Sequence, residues 1–322
     1  MRGTRFIAGA AAVCAVTVLA ACQDDTLTNS GSDGAFGTPQ LSVAESGVDP
    51  AVQLANFMDA LNAKLASDGA GYRVAVAEAI TTAESGEVGI TVLAKSVGNK
   101  QLTSDFVPGD TRRSWDTDPN DITYAIDQTA DAVPPFGGLT AAQTTAAIIR
   151  GHDSWENLIC SSLNQSQNPD FGLDIGVVAF LNGLGGSPFI FADVQHAGWE
   201  IDFAGGVLGV TFTFIWIDSS NNPTDIDGNG KTDTAFREIY YDPSWNWFDN
   251  GTSNIDLESV AVHEIGHGLS QGHFGTVALK NDGSVLRAPF AVMNAIYSQP
   301  LQVLQGTDNG GHCSNWAEWP TN

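Results

Sequence analysis

The feature that most restricts this 322-residue chain is a run of eleven residues that contains three of its six histidines. Residues 263–273 read HEIGHGLSQGH, so His263 and His267 are four positions apart and His273 follows six positions later. Apolar residues recur at one-turn spacing around the first histidine, which predicts a helix over residues 254–269. Two imidazoles at i and i+4 stack on one helix face, at a separation that a single zinc ion can bridge.

The residues that follow the second histidine favour a third ligand. Beyond Gly268 the helix is expected to break, and a chain reversal through Ser270 or Gly272 brings His273 back toward the other two. Three nitrogen ligands leave a fourth position open, as a catalytic zinc ion requires. Glu264, next to the first histidine, is the predicted general base for a water molecule that the zinc activates.

The eleven residues resemble the zinc-binding consensus of the metzincin metallopeptidases, H-E-x-x-H-x-x-G-x-x-H, and the flanking VAVHEIGH is most similar to the matrixin branch. The resemblance implies a zinc metalloendopeptidase that hydrolyses protein or peptide substrates, with the three histidines on the zinc. One position differs, because Ser270 replaces the consensus glycine. That turn requires a positive φ, so we expect a cost of about 1 kcal/mol unless Gly272 takes over the turn.

The resemblance extends, with interruptions, over residues 114–322 and implies an α+β fold. The expected catalytic domain has a twisted mixed sheet, a long first helix and the zinc-binding helix. Met293 lies about where metzincins have a methionine turn under the metal, although Ala295 replaces the matrixin proline. In the family a strand just ahead of the zinc helix forms the sheet edge that holds the substrate backbone, and the resemblance assigns this role to residues 237–242.

Hydrophobic periodicity predicts the other elements of this region. Residues 139–158 read as the long amphipathic helix, with Thr140 as its N-cap. Strands are predicted at 122–126, 174–180, 187–194, 207–217 and 238–242.

The N-terminus has the pattern of an export signal. Two arginines precede an apolar run over residues 6–21, which is too short to span a bilayer comfortably. The run ends in LAAC, similar to a bacterial lipoprotein cleavage box, so residues 1–21 are a predicted signal peptide and Cys22 a predicted lipidation site. Residues 22–47 read as a flexible tether. We expect a lipid-anchored protein of a bacterial cell envelope membrane, or a secreted one if the signal is an ordinary one.

Residues 48–113 are predicted to form a small N-terminal α+β unit, with a helix over 49–66 and a hairpin of strands 72–80 and 88–97. Two interpretations remain open: a propeptide that covers the active site until it is cleaved, or a permanent accessory unit. Latency through a propeptide cysteine, as in many matrixins, is absent, because no cysteine lies between residues 22 and 160. The pair Arg112-Arg113 suits a processing protease, or is an ordinary solvated loop.

An acidic loop between two predicted strands matches part of a calcium-binding pattern. Asp225, Asp227, Asn229 and Asp233 fall at positions 1, 3, 5 and 9, with glycine at position 6, as in the first part of an EF-hand loop. Position 12 is Phe236 and not an acid. The loop is therefore predicted to bind a structural calcium ion, with a plain Asp-Gly turn as the alternative.

Charge and cysteine usage agree with an exported protein. The formal net charge is −24, with 37 acidic and 13 basic residues, which argues against nucleic acid as a partner. Once the signal and Cys22 are set aside, Cys160 and Cys313 remain, and we predict a disulfide between them against two free thiols. His152, His196 and His312 are isolated and are expected to be ordinary surface or hydrogen-bonded residues.

A function of another class is compatible with the same residues. Ser270 and Ala295 depart from the family pattern, which suits a surface-anchored, calcium-binding adhesion or scaffold lipoprotein whose peptidase site has decayed. Retention of all three histidines and the glutamate favours the peptidase. Zinc content together with peptidase activity separates the two.

Overall fold

The structure is a computed structural model, and it describes residues 41–42, 48–95, 104–115, 118, 120–129, 131–169, 172–252 and 254–321. The predicted signal peptide and the lipidation site at Cys22 lie outside the described residues. Across the described ranges, no helix combines the length and the apolar character needed to cross a membrane.

The described residues form a mixed α+β fold with five α-helices and fifteen β-strands. The helices are α1 (Pro50–Ser67), α2 (Ala141–Glu156), α3 (Val177–Asn182), α4 (Leu257–Gly268) and α5 (Gly306–Trp316). The first eight strands are β1 (Leu41–Ser42), β2 (Tyr72–Thr82), β3 (Ile90–Leu93), β4 (Ser104–Asp105), β5 (Ile122–Ile126), β6 (Gln165–Gln167), β7 (Val194–Gly198) and β8 (Ile201–Asp202). The others are β9 (Val207–Trp216), β10 (Thr232–Tyr241), β11 (Trp247–Phe248), β12 (Ile255–Asp256), β13 (Thr276–Leu279), β14 (Val285–Ala288) and β15 (Ile296–Tyr297).

Nine of these strands form one mixed sheet, in the order β15-β2-β9-β10-β7-β5-β6, with β3 paired to β2 and β4 to β10. Strand β9 is antiparallel to both of its neighbours, whereas β10, β7, β5 and β6 are parallel to one another. Alternate side chains of β9 and β10 enter two hydrophobic cores, as the two faces of a strand require. One core contains the buried side chains of α1 and α3, and the other contains those of α2, α4 and α5.

The strand predicted to be the sheet edge lies in the interior. Glu238 of β10 pairs with Phe212 of β9 on one side and with Gln195 of β7 on the other. All ten residues of β10 are buried. The assignment of residues 237–242 to the edge is therefore wrong, because the outer side of β10 is covered by β9, and β9 is covered in turn by β2.

Two of the predicted strands are not strands. Residues 174–180 fall largely in helix α3, whose first N–H groups, at Val177 and Val178, donate to the buried Glu238 carboxylate at 2.6 and 3.0 Å. A carboxylate at a helix N-terminus satisfies N–H groups that have no intrahelical partner. Residues 187–193 are irregular, and β7 begins at Val194. Short apolar runs do not distinguish helix from strand, so periodicity alone misassigned both segments.

The predicted N-terminal unit shares its sheet with the rest of the chain. Its helix and hairpin form as predicted, but β2 then pairs with β9 from Tyr72↔Trp216 to Thr81↔Val207. The predicted boundary at residue 113 thus runs through the sheet, and residues 38–322 cluster as one compact unit. Arg113 is 1% exposed and its Nη1 lies 3.0 Å from Asp193 Oδ1. Cleavage by a processing protease at this arginine would therefore require local unfolding.

A disulfide joins Cys160 to Cys313, the pair that the sequence predicts, with their Cα atoms 5.6 Å apart. It connects the segment after α2 to helix α5 across 153 positions of sequence. We expect the double substitution Cys160→Ser/Cys313→Ser to lower the free energy of unfolding by about 2 to 5 kcal/mol, since the open loop gains entropy in the unfolded state. Urea denaturation with and without reductant checks this. Reductant should destabilise the wild type alone, and an equal effect on the variant would contradict the prediction.

Candidate metal centre

Helix α4 carries the first two histidines into the interior of the protein. It begins at Leu257, three residues later than predicted, because Asp256 is the N-cap and its Oδ2 accepts a hydrogen bond from Ser259 N at 3.0 Å. Every residue of the helix is buried. Trp155 of α2 anchors it by donating from Nε1 to the Val262 carbonyl at 2.8 Å. The histidines therefore project from a rigid, enclosed element.

The three predicted zinc ligands converge. The ring centroids lie 4.8 Å apart for His263 and His267, 5.3 Å for His263 and His273, and 4.7 Å for His267 and His273. A nitrogen of each histidine lies within 4.8 Å of a nitrogen of both others. The closest pair is Nε2 of His263 and Nε2 of His267, at 3.1 Å. The two histidines of helix α4 and His273, which follows the end of the helix and a turn, thus lie around one point.

The turn that brings His273 back lies at Ser270 and not at Gly272. Ser270 has a φ of 65°, a left-handed conformation that costs a non-glycine residue about 1 kcal/mol. Two hydrogen bonds hold it there, from Arg237 Nη1 to its Oγ at 3.0 Å and from Asn315 Nδ2 to its carbonyl at 3.0 Å. Serine therefore replaces the consensus glycine without moving the turn.

The hydrogen bonds at Nδ1 indicate which nitrogen of each ring is free. Nδ1 of His263 lies 2.7 Å from the Val292 carbonyl, and Nδ1 of His267 lies 2.8 Å from the Gln271 carbonyl. A carbonyl oxygen can only accept, so both rings carry their proton on Nδ1. When both rings are neutral, their Nε2 atoms face each other as two lone pairs at 3.1 Å, which is repulsive without a cation between them.

His273 completes the donor set. Its Nδ1 lies 2.9 Å from Thr91 Oγ1, and its Nε2 is buried without a hydrogen-bond partner. Three neutral imidazole nitrogens, each oriented by a second partner at Nδ1, are the ligand set of many zinc sites. The residues present therefore fit a zinc ion, and the orphaned Nε2 of His273 is the observation that tests this fit.

Burial favours the neutral form of two of the three candidate ligands, His263 and His273. It lowers the pKa of His263 well below its ordinary value and lowers the pKa of His273 to about 3. At His267 burial acts in the same direction, but the Glu78 carboxylate, 3.1 Å from Nδ1, outweighs it and raises the pKa. Glu78 thereby orients His267 in the manner of the carboxylates that support metal-bound histidines.

Glu264 is enclosed beside the histidines. It is fully buried, and its Oε2 accepts a hydrogen bond from Thr211 Oγ1 at 2.5 Å, while its Oε1 has no hydrogen-bond partner. Burial raises the pKa of this carboxyl to about 7. A side chain at Gly209 would come within 2.9 Å of Oε1, so the glycine leaves room for the carboxylate.

The methionine segment, residues 292–293, packs against helix α4 beside the histidines. Met293 is 2% exposed, and a side chain at Gly266, between the two helical histidines, would meet its Cε at 3.0 Å. The neighbouring Val292 carbonyl is the acceptor for His263. Asp308 of α5 holds the segment by accepting from the N–H groups of Val292 and Met293, at 2.9 and 3.1 Å. Met293 thus lies where a methionine turn is expected.

Strand β2 lies directly across the centre. It is antiparallel to β9, with Glu78 opposite Thr211, and parallel to β15, with Thr81 opposite Ile296. A polar cavity of about 220 Å³ on one side is lined by residues that include Glu78 and His267. A cavity of about 20 Å³ on the other side is lined by residues that include Ile80 and His263. Both volumes are below the roughly 300 to 1,000 Å³ of a typical ligand pocket.

The predicted calcium loop brings three of its four candidate ligands together. Carboxylate oxygens of Asp225, Asp227 and Asp233 lie within 4.8 Å of one another. Asp233 is already paired with Arg112 Nη2 at 2.8 Å. Asn229 turns its amide nitrogen toward Asp105 Oδ2 at 3.0 Å, and its Oδ1 accepts from a backbone N–H. Calcium at this loop stays a prediction.

The remaining histidines have partners within the protein. Nε2 of His152 lies 3.0 Å from Nε2 of His196, and the other nitrogens face Gln165 Oε1 and Tyr241 Oη at 2.7 and 2.9 Å. Both imidazoles can be satisfied without a metal, because His152 accepts at Nε2 while His196 donates. His312 lies 2.9 Å from Ser161 Oγ.

Sequence analysis did not identify the residues that surround the three histidines. Glu78, Thr91, Gly209 and Thr211 all lie more than fifty positions from Glu264 in the chain, and no motif connects them to it. Comparison with models of known protein families and with curated proteins gives no match to this chain. The similarity to the metzincins therefore rests on the histidine motif and the methionine segment.

Proposed function

We propose that this chain is a zinc-dependent endopeptidase of matrixin-like type that hydrolyses peptide bonds of extracytoplasmic proteins. The observation that supports it best is the convergence of nitrogen atoms from His263, His267 and His273, together with the buried Nε2 of His273, which has no hydrogen-bond partner. A structural zinc site usually closes its fourth position with a protein ligand, whereas three histidines with an adjacent glutamate are typical of catalytic sites.

The side chains near the centre have distinct roles in this proposal. When bound, zinc supplies a Lewis-acid charge that promotes the attack of water on a peptide carbonyl. Glu264 takes the proton of that water and returns it to the leaving amine. Thr211 donates to one carboxylate oxygen, and the other acts as the base once the Ile80 N–H has moved away from the carboxylate. The enclosed surroundings strengthen each of these electrostatic interactions.

Strand β2 controls access in this proposal. An extended peptide commonly binds by adding a strand to an exposed sheet edge. Here β2 already covers the outer side of β9 beside Glu264, and its Ile80 N–H interacts with the Glu264 carboxylate. Peptide hydrolysis would therefore require the segment of β2 around residues 78–81 to move away.

We expect the substitution Ile80→Pro to raise the rate of peptide cleavage roughly tenfold or more. A proline removes the Ile80 N–H and weakens the pairing of β2. We expect the loss to exceed ~1.4 kcal/mol, the free energy that corresponds to a tenfold larger population of the open conformation. Chelator-sensitive cleavage of a mixed peptide library measures the effect. Leu61→Ala in α1 is the control, because it destabilises the protein away from the centre and should leave the rate unchanged.

The position of β2 also favours the second candidate function. A strand fixed across the centre suits a surface-anchored, calcium-binding adhesion or scaffold lipoprotein in which zinc is structural. That function predicts zinc binding without cleavage in both the wild type and the Ile80→Pro variant. Cleavage that the variant accelerates and a chelator abolishes would reject it.

A further inference from the structure

A second cluster of ionisable side chains lies far from the histidines in sequence, at the ends of two neighbouring strands. Asp127 and Asp131 follow β5, Asp174 precedes α3, and Glu200 follows β7. Strands β5 and β7 are parallel neighbours, with Ile126 opposite His196, so both chains leave the sheet at the same end. Carboxylate oxygens of the three aspartates lie within 4.8 Å of one another.

The fourth carboxylate is buried without a donor. Glu200 is 1% exposed, and neither of its oxygens has a hydrogen-bond partner. It lies beside Asp131, because a carbon built on Gly198 would be 3.2 and 3.3 Å from the two Glu200 oxygens and 2.8 Å from the Asp131 carbonyl, and the charge of Asp131 acts on the Glu200 carboxyl. Gly198 has a φ of 125°, and the space beside it is bounded by oxygen atoms. Oxygen atoms grouped in this way attract a cation.

Neutral donors reach only part of the cluster: the N–H groups of Thr129 and Ile175 donate to the two oxygens of Asp127, at 2.5 and 2.6 Å. The Thr129 hydroxyl lies 2.7 Å from Asp127 Oδ1 and 2.7 Å from Asp131 Oδ1, although it has one proton to donate. Oδ1 of Asp174 is also buried without a partner. Among the described residues, no ion pair connects any of the four carboxylates to a lysine, arginine or histidine. Buried charges without a counter-charge are strongly unfavourable.

The electrostatics agree with this geometry. Burial and the nearby Asp131 raise the pKa of Glu200 well above its ordinary value. Burial and the same neighbour raise the pKa of Asp127 to about 7. In both cases a divalent cation would offset the part of the pKa shift that comes from Asp131.

We propose that Asp127, Asp131, Asp174 and Glu200 bind a calcium ion. The donor atoms are all oxygens, and the carboxylates come from three separate segments, which suits the hard, flexible coordination of calcium better than that of zinc. Bound there, the ion ties the segment after β5 to the start of α3 and the end of β7. This site is distinct from the Asp225 loop and does not depend on peptidase activity.

The experiment uses the full chain with its predicted calcium loop disabled by Asp225→Asn/Asp227→Asn. Calcium content and thermal unfolding are measured in calcium-free buffer and after titration with Ca²⁺. We expect one bound calcium ion per chain and a midpoint that rises by roughly 5 °C or more at about 100 times Kd. Adding Asp131→Asn/Glu200→Gln should abolish both the bound ion and the rise.

Two results would overturn the proposal. One is a loop-disabled chain that binds no calcium and unfolds at the same temperature with and without it. The other is a site variant that keeps the bound ion and the full rise. If the double site variant does not fold, Glu200→Gln alone decides, because it removes one charge and leaves the size of the side chain unchanged.

Discussion

Replacing Glu264 by glutamine is expected to lower chelator-sensitive peptide hydrolysis by a factor on the order of 10³ to 10⁴, while zinc content and thermal stability remain close to wild type. Glutamine has nearly the same shape and can keep the contact with Thr211, but it cannot accept a proton at neutral pH. The effect should fall on kcat, because the proton is transferred in the chemical step.

The control for Glu264→Gln is a second glutamate-to-glutamine substitution at a site far from the histidines. Glu318→Gln is suitable, because Glu318 is exposed at the C-terminal end of the chain and has no role at the centre. It should show wild-type rates. Hydrolysis that survives in Glu264→Gln, at the same zinc content, would exclude Glu264 as the general base.

Removal of residues 1–113 is expected to abolish cooperative unfolding rather than release an active peptidase. The deleted segment includes six large side chains that are at most 4% exposed: Leu54, Met58, Leu61, Leu65, Val74 and Ile80. At about 2 kcal/mol each, their burial is comparable with the roughly 5 to 15 kcal/mol that stabilises a whole domain. The deletion also exposes the outer edge of β9 and the apolar rings of Phe212 and Phe214 that pack against Phe57 and Tyr72.

A chain that begins at Val48 is the matched control. It keeps α1, with its cap at Asp49, and the whole of β2. Its thermal midpoint should equal that of the longer chain. A chain that begins at Ser114, unfolds cooperatively, binds zinc and cleaves peptides would instead show that residues 48–113 are a removable propeptide.

The helix and the convergence of the three histidines were predictable because their information is local. The i, i+4 spacing of His263 and His267 specifies one helix face, and the third histidine follows six positions later, after the helix has ended. The N-cap at Thr140 is equally local and forms with a capping box to Gln143. The disulfide between Cys160 and Cys313 followed from the small number of cysteines.

What the sequence did not predict depends on contacts between distant segments. The pairing of β2 with β9 covers the outer edge of β9, and the histidine motif gives no information about this pairing. The helical state of residues 177–182 depends on the buried carboxylate of Glu238, about sixty positions later. The four carboxylates of the cluster that includes Glu200 lie as far as 73 positions apart, so the cluster exists only once the strands have paired.

The central claim is that His263, His267 and His273 hold one zinc ion, and its most direct test is the zinc content of the purified chain. Elemental analysis after dialysis should give about one equivalent in the wild type and in Glu264→Gln, and less than about a tenth in His267→Gln, since the loss of one of three ligands removes tight binding. Absence of zinc from the wild type, or an unchanged content in His267→Gln, would contradict the account.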